Sequence, residues 1–194
     1  GEFDEVTYNP TANVRVNTLS NSQQFNLSPW ATYQATVTAN VVVAPDGTTT
    51  AFSLNEDTNN GEHLLAQART GRDETMTASY YAKAAARTRC YISLSNYVNF
   101  SCQVHYDLIA GTVTLVTGNN GDYSNISGTI TPVGNGWFRC TLTATKGSVN
   151  NVNSFTIAPV VGSSSVYLGT GVPAIYIWGA QFEQSASPSI YVRT

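Results

Sequence analysis

Two histidines, His63 and His105, are the chain's whole supply of imidazole bases, and Cys90, Cys102 and Cys140 its whole supply of thiols. Nucleophilic catalysis needs a nucleophile, a base and an acid that orients the base, so this supply is thin. The patterns G-x-S-x-G, H-E-x-x-H and the P-loop are absent. Glycoside hydrolysis would need two carboxylates about 5 to 10 Å apart. Most of the twelve acids fall in loop-like stretches, among them Asp46, Glu56, Asp57, Glu62, Asp73 and Asp122. The cysteines lack the C-x-x-C spacing of zinc or redox sites. These residues read as those of a protein that is not an enzyme.

One segment carries metal-ligating chemistry. Asn55 to Glu62 holds three carboxylates (Glu56, Asp57, Glu62) and three asparagines, the hard oxygen donors that calcium takes. It lacks the D-x-D-x-D-G spacing of an EF-hand, so the segment reads either as a calcium loop or as a solvated turn. No other cofactor is called for.

Charged residues are 11% of the 194, with a net charge of -3, which leaves no basic field for nucleic acid or anionic lipid. No apolar run approaches the ~18 residues of a membrane-spanning helix, so no membrane insertion is expected. Twenty-five Thr and 11 Tyr stand against two Lys and one Met, a bias toward strand formers over helix formers. The class is all-β. The opening Gly1-Glu2-Phe3 has the look of a cloning remnant, so residues 1–12 are read as remnant or linker and 13–194 as one domain. The tail after Glu183 is a second candidate linker.

Period-two runs between Gly, Asn and Asp clusters give roughly ten strands, the pattern of a sandwich or barrel. They cover Asn13 to Asn21, Ala31 to Ala44, Thr48 to Leu54, His63 to Ala68, Glu74 to Ala84, Arg89 to Leu94, Asn99 to Asp107, Thr112 to Thr117, Ile126 to Pro132, Trp137 to Thr145, Ser154 to Val160 and Ala174 to Phe182. Asn135-Gly136 marks a hairpin, because both residues tolerate left-handed backbone. The Ala-rich Tyr81 to Arg87 reads as a strand running into a loop. Cys90 falls roughly opposite Cys102 in the hairpin about Ser95 to Val98, so the two are either bridged or a pair of buried thiols. His105 and Gln103 alternate out of phase with Val104 and Tyr106 and should face away from the core. Trp178, Tyr176 and Phe182 share parity and read as core.

Five segments in order resemble one family: Ala44-Pro45-Asp46-Gly47-Thr48-Thr49-Thr50-Ala51, Ala78-Ser79-Tyr80-Tyr81-Ala82-Lys83, Tyr106-Asp107-Leu108-Ile109-Ala110-Gly111-Thr112-Val113, Val133-Gly134-Asn135-Gly136-Trp137-Phe138-Arg139-Cys140 and Ile175-Tyr176-Ile177-Trp178-Gly179-Ala180-Gln181-Phe182-Glu183. They are similar to the jelly-roll, carbohydrate-binding-module-like domain of bacteriophage tail fibre, tail spike and head spike proteins and of gene-transfer-agent spikes. The resemblance spans residues 13 to 192. It implies a β-sandwich of two antiparallel sheets, non-catalytic and joined to the remainder of a larger fibre or spike protein. It further implies an extracellular or virion-surface location, a bacterial surface polysaccharide as partner and display as a homo-oligomer. A structural calcium is common in such modules. The rival reading is a structural or oligomerisation domain whose outward aromatics bury against neighbouring subunits, or an accessory module of a secreted polysaccharide-degrading enzyme.

Sugar sites set aromatic faces against the apolar side of pyranose rings and amides, carboxylates and Arg against the hydroxyls. Trp137 and Arg139, on one strand face, are the first candidates, either as a binding pair or packed beneath a loop. Tyr81, Tyr97, Tyr123, His105 and Gln103 follow.

Overall fold

Alternation of apolar and polar side chains decides the architecture. In Arg89–Ser95, Cys90, Ile92 and Leu94 enter the core, while Tyr91, Ser93 and Ser95 point to the opposite side of the sheet. The same rule holds in Ser101–Asp107, where Cys102, Val104 and Tyr106 face in. A computed structural model describes residues 16–70, 74–96, 100–118, 121–149 and 152–194.

The strands are β1 (Ala31–Tyr33), β2 (Ala35–Val42), β3 (Ala51–Glu56), β4 (Asn60–Glu62), β5 (Leu64–Thr70), β6 (Glu74–Ala84), β7 (Arg89–Ser95), β8 (Ser101–Asp107), β9 (Thr112–Thr117), β10 (Tyr123–Gly134), β11 (Trp137–Lys146), β12 (Val152–Val160), β13 (Val166–Leu168) and β14 (Pro173–Glu183). A front sheet has the order β1-β5-β12-β7-β8-β9 and a back sheet the order β10-β11-β6-β14-β3-β2, with β13 and β4 as a small ribbon. Neighbouring strands run antiparallel. This is a jelly-roll β-sandwich of two antiparallel sheets, as the sequence predicts.

The core fills the space between the sheets. Phe52, Leu54, Met76, Tyr80, Leu142, Ile175, Ile177 and Phe182 come from the back sheet; Ile92, Leu94, Val104, Tyr106, Phe155 and Ile157 come from the front. Each such side chain contributes about 1.5–3 kcal/mol by leaving water. Asn135 and Gly136, with φ of 53° and 77°, form the two-residue turn between Gly134 and Trp137, as the Asn-Gly signal indicates.

Several expectations need correction. The run Ala31 to Ala44 is two strands in two different sheets. Gln34, with φ of 47°, turns the chain from β1 in the front sheet to β2 in the back. Of the strand expected over Asn13 to Asn21, residues 13–15 lie outside the described residues and no strand forms over 16–21; that segment instead lies beside β14, with the Thr18 N–H donating to the Phe182 carbonyl at 2.9 Å. Cys90 pairs with Tyr106 and Cys102 with Leu94, so the two cysteines are not opposite each other. All three cysteines are buried free thiols. In β14 an irregularity between Trp178 and Gln181, where Gly179 has φ of 56°, reverses the facing of the strand. Phe182 therefore enters the main core while Trp178 and Tyr176 join a separate cluster outside the back sheet.

The segment after Glu183 is not a linker. It folds back over the outer face of the back sheet, where Val192 N–H donates to Gln181 Oε1 at 2.8 Å and Ser189 N–H to both oxygens of Glu183 at 3.1 Å. Its last residues meet the beginning of the described chain. Asn17 Nδ2 donates to the Val192 carbonyl at 2.8 Å and Thr194 Oγ1 to the Leu19 carbonyl at 2.6 Å.

Candidate functional site

The outer face of the front sheet is built from small polar residues at alternate positions. Register brings Ala66, Thr156, Ser93, Gln103 and Thr117 into one row across β5, β12, β7, β8 and β9. A parallel row holds Ala68, Ser154, Ser95 and Ser101. Short side chains set between taller ones leave a trough of about 320 Å³ lined by Glu62, Leu64, Ala66, Tyr91, Gln103, Thr156, Ser154, Ser93, Ser95 and Ser101. Glu62 is the single carboxylate of this lining. Its Oε1 accepts from the Ser165 hydroxyl at 2.7 Å.

One end of the trough is closed by rings. Tyr91 is buried against Ala158, Val160 and Leu64 and stacks on His105 with centroids 5.3 Å apart. Burial pushes the Tyr91 phenol above its ordinary pKa, and the charge of Glu62 adds to this. Burial pushes the His105 imidazole below its ordinary value, so it is neutral at pH 7. Nε2 of His105 lies 3.1 Å from Gln103 Oε1. His105 and Gln103 do face away from the core as expected, but His105 is packed under its neighbours and only Gln103 reaches the trough.

Tyr33 stands at the side of this face. It pairs with Leu64 across β1 and β5, so both project from the same side of the sheet, and Tyr33 is 57% exposed. Tyr33, Ser93, Ser95 and Thr156 escaped the sequence reading. The alternation Tyr91-Ile92-Ser93-Leu94-Ser95 carries the signal for the serines; nothing in Ala31-Thr32-Tyr33 marks a strand edge.

The aromatic candidates lie elsewhere. Trp137 is on the outer face of the back sheet but only 1% exposed, and its indole N–H donates to the Val43 carbonyl at 3.0 Å. It clusters with Ala44, Ala51 and Trp178, against which Tyr81, Tyr176 and Tyr191 pack. Tyr81 meets Trp178 edge-on at 5.2 Å and Tyr191 at 6.1 Å. Arg139 lies over the Tyr81 ring and donates to the Ser189 carbonyl at 2.6 Å and to Ser79 Oγ at 3.1 Å. The pair does not form a groove: Arg139 packs beneath the tail at Ser189, and Trp137 packs beneath Val43 and Ala44, which follow β2. Tyr123 is 1% exposed, its hydroxyl donating to Asn153 Oδ1 at 2.7 Å, and offers no face to solvent. Tyr97 lies outside the described residues.

The acidic segment is occupied by the protein itself. Arg87 donates to Glu56 Oε2 at 2.9 Å and Oε1 at 2.6 Å, Tyr167 to Oε2 at 2.8 Å, and Thr170 to Oε1 from both its N–H (2.9 Å) and its hydroxyl (2.6 Å). Burial alone would raise the Glu56 pKa, but these bonds outweigh it and hold the carboxyl at about 2. Both oxygens are thus saturated, and Glu56 does not fit a calcium ligand. Asp57 caps its own turn by accepting from the N–H and side chain of Asn59, and Glu62 turns toward Ser165. Among the described residues no three His, Cys, Asp or Glu side chains converge as a metal site would require. The segment is a tie joining β3, β13 and the turn before β7.

No family model matches the chain, and no curated protein does. Among solved structures, the chain is similar to the enzymatically active domain of tailspike protein 4 of bacteriophage CBA120, with 21% identity and a TM-score of 0.49. That match covers 86% of this chain and 21% of the tailspike, so the chain spans about a fifth of that protein's length. It is also similar to TmCBM61, solved with β-1,4-galactotriose, with 13% identity and a TM-score of 0.34 over 74% of this chain and 97% of the other. At these identities the likeness concerns the fold alone.

Proposed function

We propose that this domain is a non-catalytic carbohydrate-binding module that takes a neutral segment of a bacterial surface polysaccharide along the trough of the front sheet. The observation that carries the reading is the trough itself. Rows of hydroxyls and the Gln103 amide stand beside Leu64 and an exposed Tyr33. Hydroxyls and amides match sugar hydroxyls, while a tyrosine ring matches the apolar side of a pyranose. A lining with one carboxylate suits binding better than hydrolysis, which needs two. The low charge fits a neutral glycan and makes association insensitive to salt.

As a segment of a longer fibre or spike at a particle surface, the domain would act in several copies. A single shallow site of ~10 µM to mM affinity gains ~100-fold or more from such display. The rival role, in which outward aromatics bury against neighbouring subunits, has less to draw on at the back face, where Tyr191 of the tail packs on Tyr81 and Trp178 and the Val43 carbonyl and Ala44 close over Trp137. The test is an array of purified capsular and O-antigen polysaccharides probed with a multivalent form beside Tyr33→Ala and Gln103→Ala variants. Specific retention that both variants weaken supports the reading. A silent array with folded protein, or retention indifferent to both variants, overturns it.

A further inference from the structure

At the end of the sandwich where β7 leaves the front sheet and the β10–β11 hairpin opens, three reactive side chains converge away from solvent. Lys146 and Asp122 are both wholly buried, with Nζ 2.5 Å from Oδ2. The same oxygen accepts from Asn96 Nδ2 at 2.6 Å. Asn96 is itself buried, and its Oδ1 accepts the Phe100 N–H at 3.2 Å. The Tyr123 ring lies 5.4 Å from Nζ. A buried lysine and aspartate are costly to desolvate, and the trough described above makes no use of them.

We propose that Lys146 and Asn96 form an autocatalytic isopeptide bond, with Asp122 as the proton carrier. Each member of the constellation has a role in acyl transfer. Asn96 supplies a carboxamide whose oxygen is already held by a backbone N–H, the donor that stabilises charge developing there. Lys146 supplies the amine, and Asp122 holds amine and amide on one oxygen.

At rest the pair is ionic. Burial raises the Asp122 carboxyl, but the bonds from Lys146, Asn96 and the Val149 N–H hold it below its ordinary value. Transfer of a proton from the Lys146 ammonium to Asp122 gives a neutral amine beside a carboxylic acid, a form that a dry interior penalises less than it does separated charges. Nζ then attacks Cγ of Asn96, and the carbonyl electron pair moves onto Oδ1. Asp122 gives its proton to Nδ2 and takes one from Nζ. The Cγ–Nδ2 bond breaks, ammonia leaves, and Asp122 ends as a neutral acid beside the new amide. One amine and one carboxamide become one secondary amide and one ammonia, so no oxidant, reductant or cofactor is consumed. The bond would join the front sheet at the end of β7 to the back sheet at the end of β11.

Intact-mass spectrometry of the folded wild-type protein tests this directly. The expected mass is about 17 Da below that of the sequence, the loss of one ammonia on acyl transfer to an amine. Trypsin should then leave Cys90–Arg139 joined to Cys140–Arg193 through Lys146, which is no longer cleaved. Lys146→Met, Asn96→Ala and Asp122→Asn should each restore the full mass; if a variant fails to fold, the wild-type mass and the branched peptide still decide. Folded wild type that keeps its full mass after days in buffer overturns the proposal. So does a loss that persists in Lys146→Met, which would belong to a succinimide at an Asn-Gly step such as Asn60-Gly61 or Asn135-Gly136. A loss of about 18 Da, one water, would place the bond on Asp122 instead and overturn the assignment to Asn96.

Discussion

The two outer faces of the sandwich are made from opposite materials. The back face carries Trp137, Trp178, Tyr81 and Arg139; the segment after Glu183 lies over the last three, and Val43 and Ala44 close over Trp137. The front face carries serines, threonines and Gln103, and its trough is open. Large aromatic side chains on an exposed sheet would leave an apolar patch in water, so the chain covers them itself. Small hydroxylated side chains need no cover and leave room for another molecule. Aromatic richness therefore marks the face that the chain covers with its own residues, and polar smallness the face that stays open.

Four perturbations would break or sharpen this contrast. The largest is Trp137→Ala, which empties a buried site and should cost about 3–5 kcal/mol in denaturant unfolding. Glycan retention by the fraction that remains folded should be unchanged; loss of binding without loss of stability would put the ligand on the back face after all.

Next is Glu56→Gln, which removes the charge at the centre of the tie to Arg87, Tyr167 and Thr170 and should cost about 3 kcal/mol. Its pH signature is distinct. The folded carboxyl sits at about 2 against an ordinary value of 4.5, so the unfolded chain binds the extra proton between these values and stability rises with pH there. The contribution is complete above pH 4.5 and is lost as pH falls through about 2. Urea midpoints of wild type and variant should converge over that window.

On the front face the effects should fall on binding alone. Tyr33→Ala removes an exposed ring and should weaken polysaccharide binding by about 1.5 kcal/mol, roughly tenfold, with an unfolding midpoint that stays put. Gln103→Ala should cost about 1 kcal/mol, roughly fivefold, read by titration with the polysaccharide that the array selects. A destabilised fold in either variant would show that these side chains belong to the structure rather than to the site.

The strand alternation made the sandwich legible in the sequence, because buried and outward residues follow the period of two in β7, β8, β11 and β12. The irregularity at Gly179 defeated the same rule, since one displaced residue exchanges inside for outside and moved Trp178 from the expected core to the back cluster. The site was less legible than the fold. Alternation tells that Trp137 and Arg139 leave the core but not that Val43, 94 positions earlier, closes over the first and Ser189, 50 positions later, over the second. Tyr33 was hidden for a related reason: its exposure depends on β1 being an edge strand, which is a property of sheet order rather than of neighbouring residues. The carboxylates of Asn55 to Glu62 misled through composition, because an oxygen donor for calcium is equally an acceptor for Arg87.

The meeting of Asn17 with Val192 and of Thr194 with Leu19 has a mechanical meaning. Tension applied at residues 16 and 194 enters and leaves the domain at one place, where a handful of hydrogen bonds join the two segments. The same segment is also tied to β14, through Thr18 N–H to the Phe182 carbonyl and Asn17 Nδ2 to the Ala180 carbonyl, so a load there would be shared between the tail and the edge of the back-sheet core from the start.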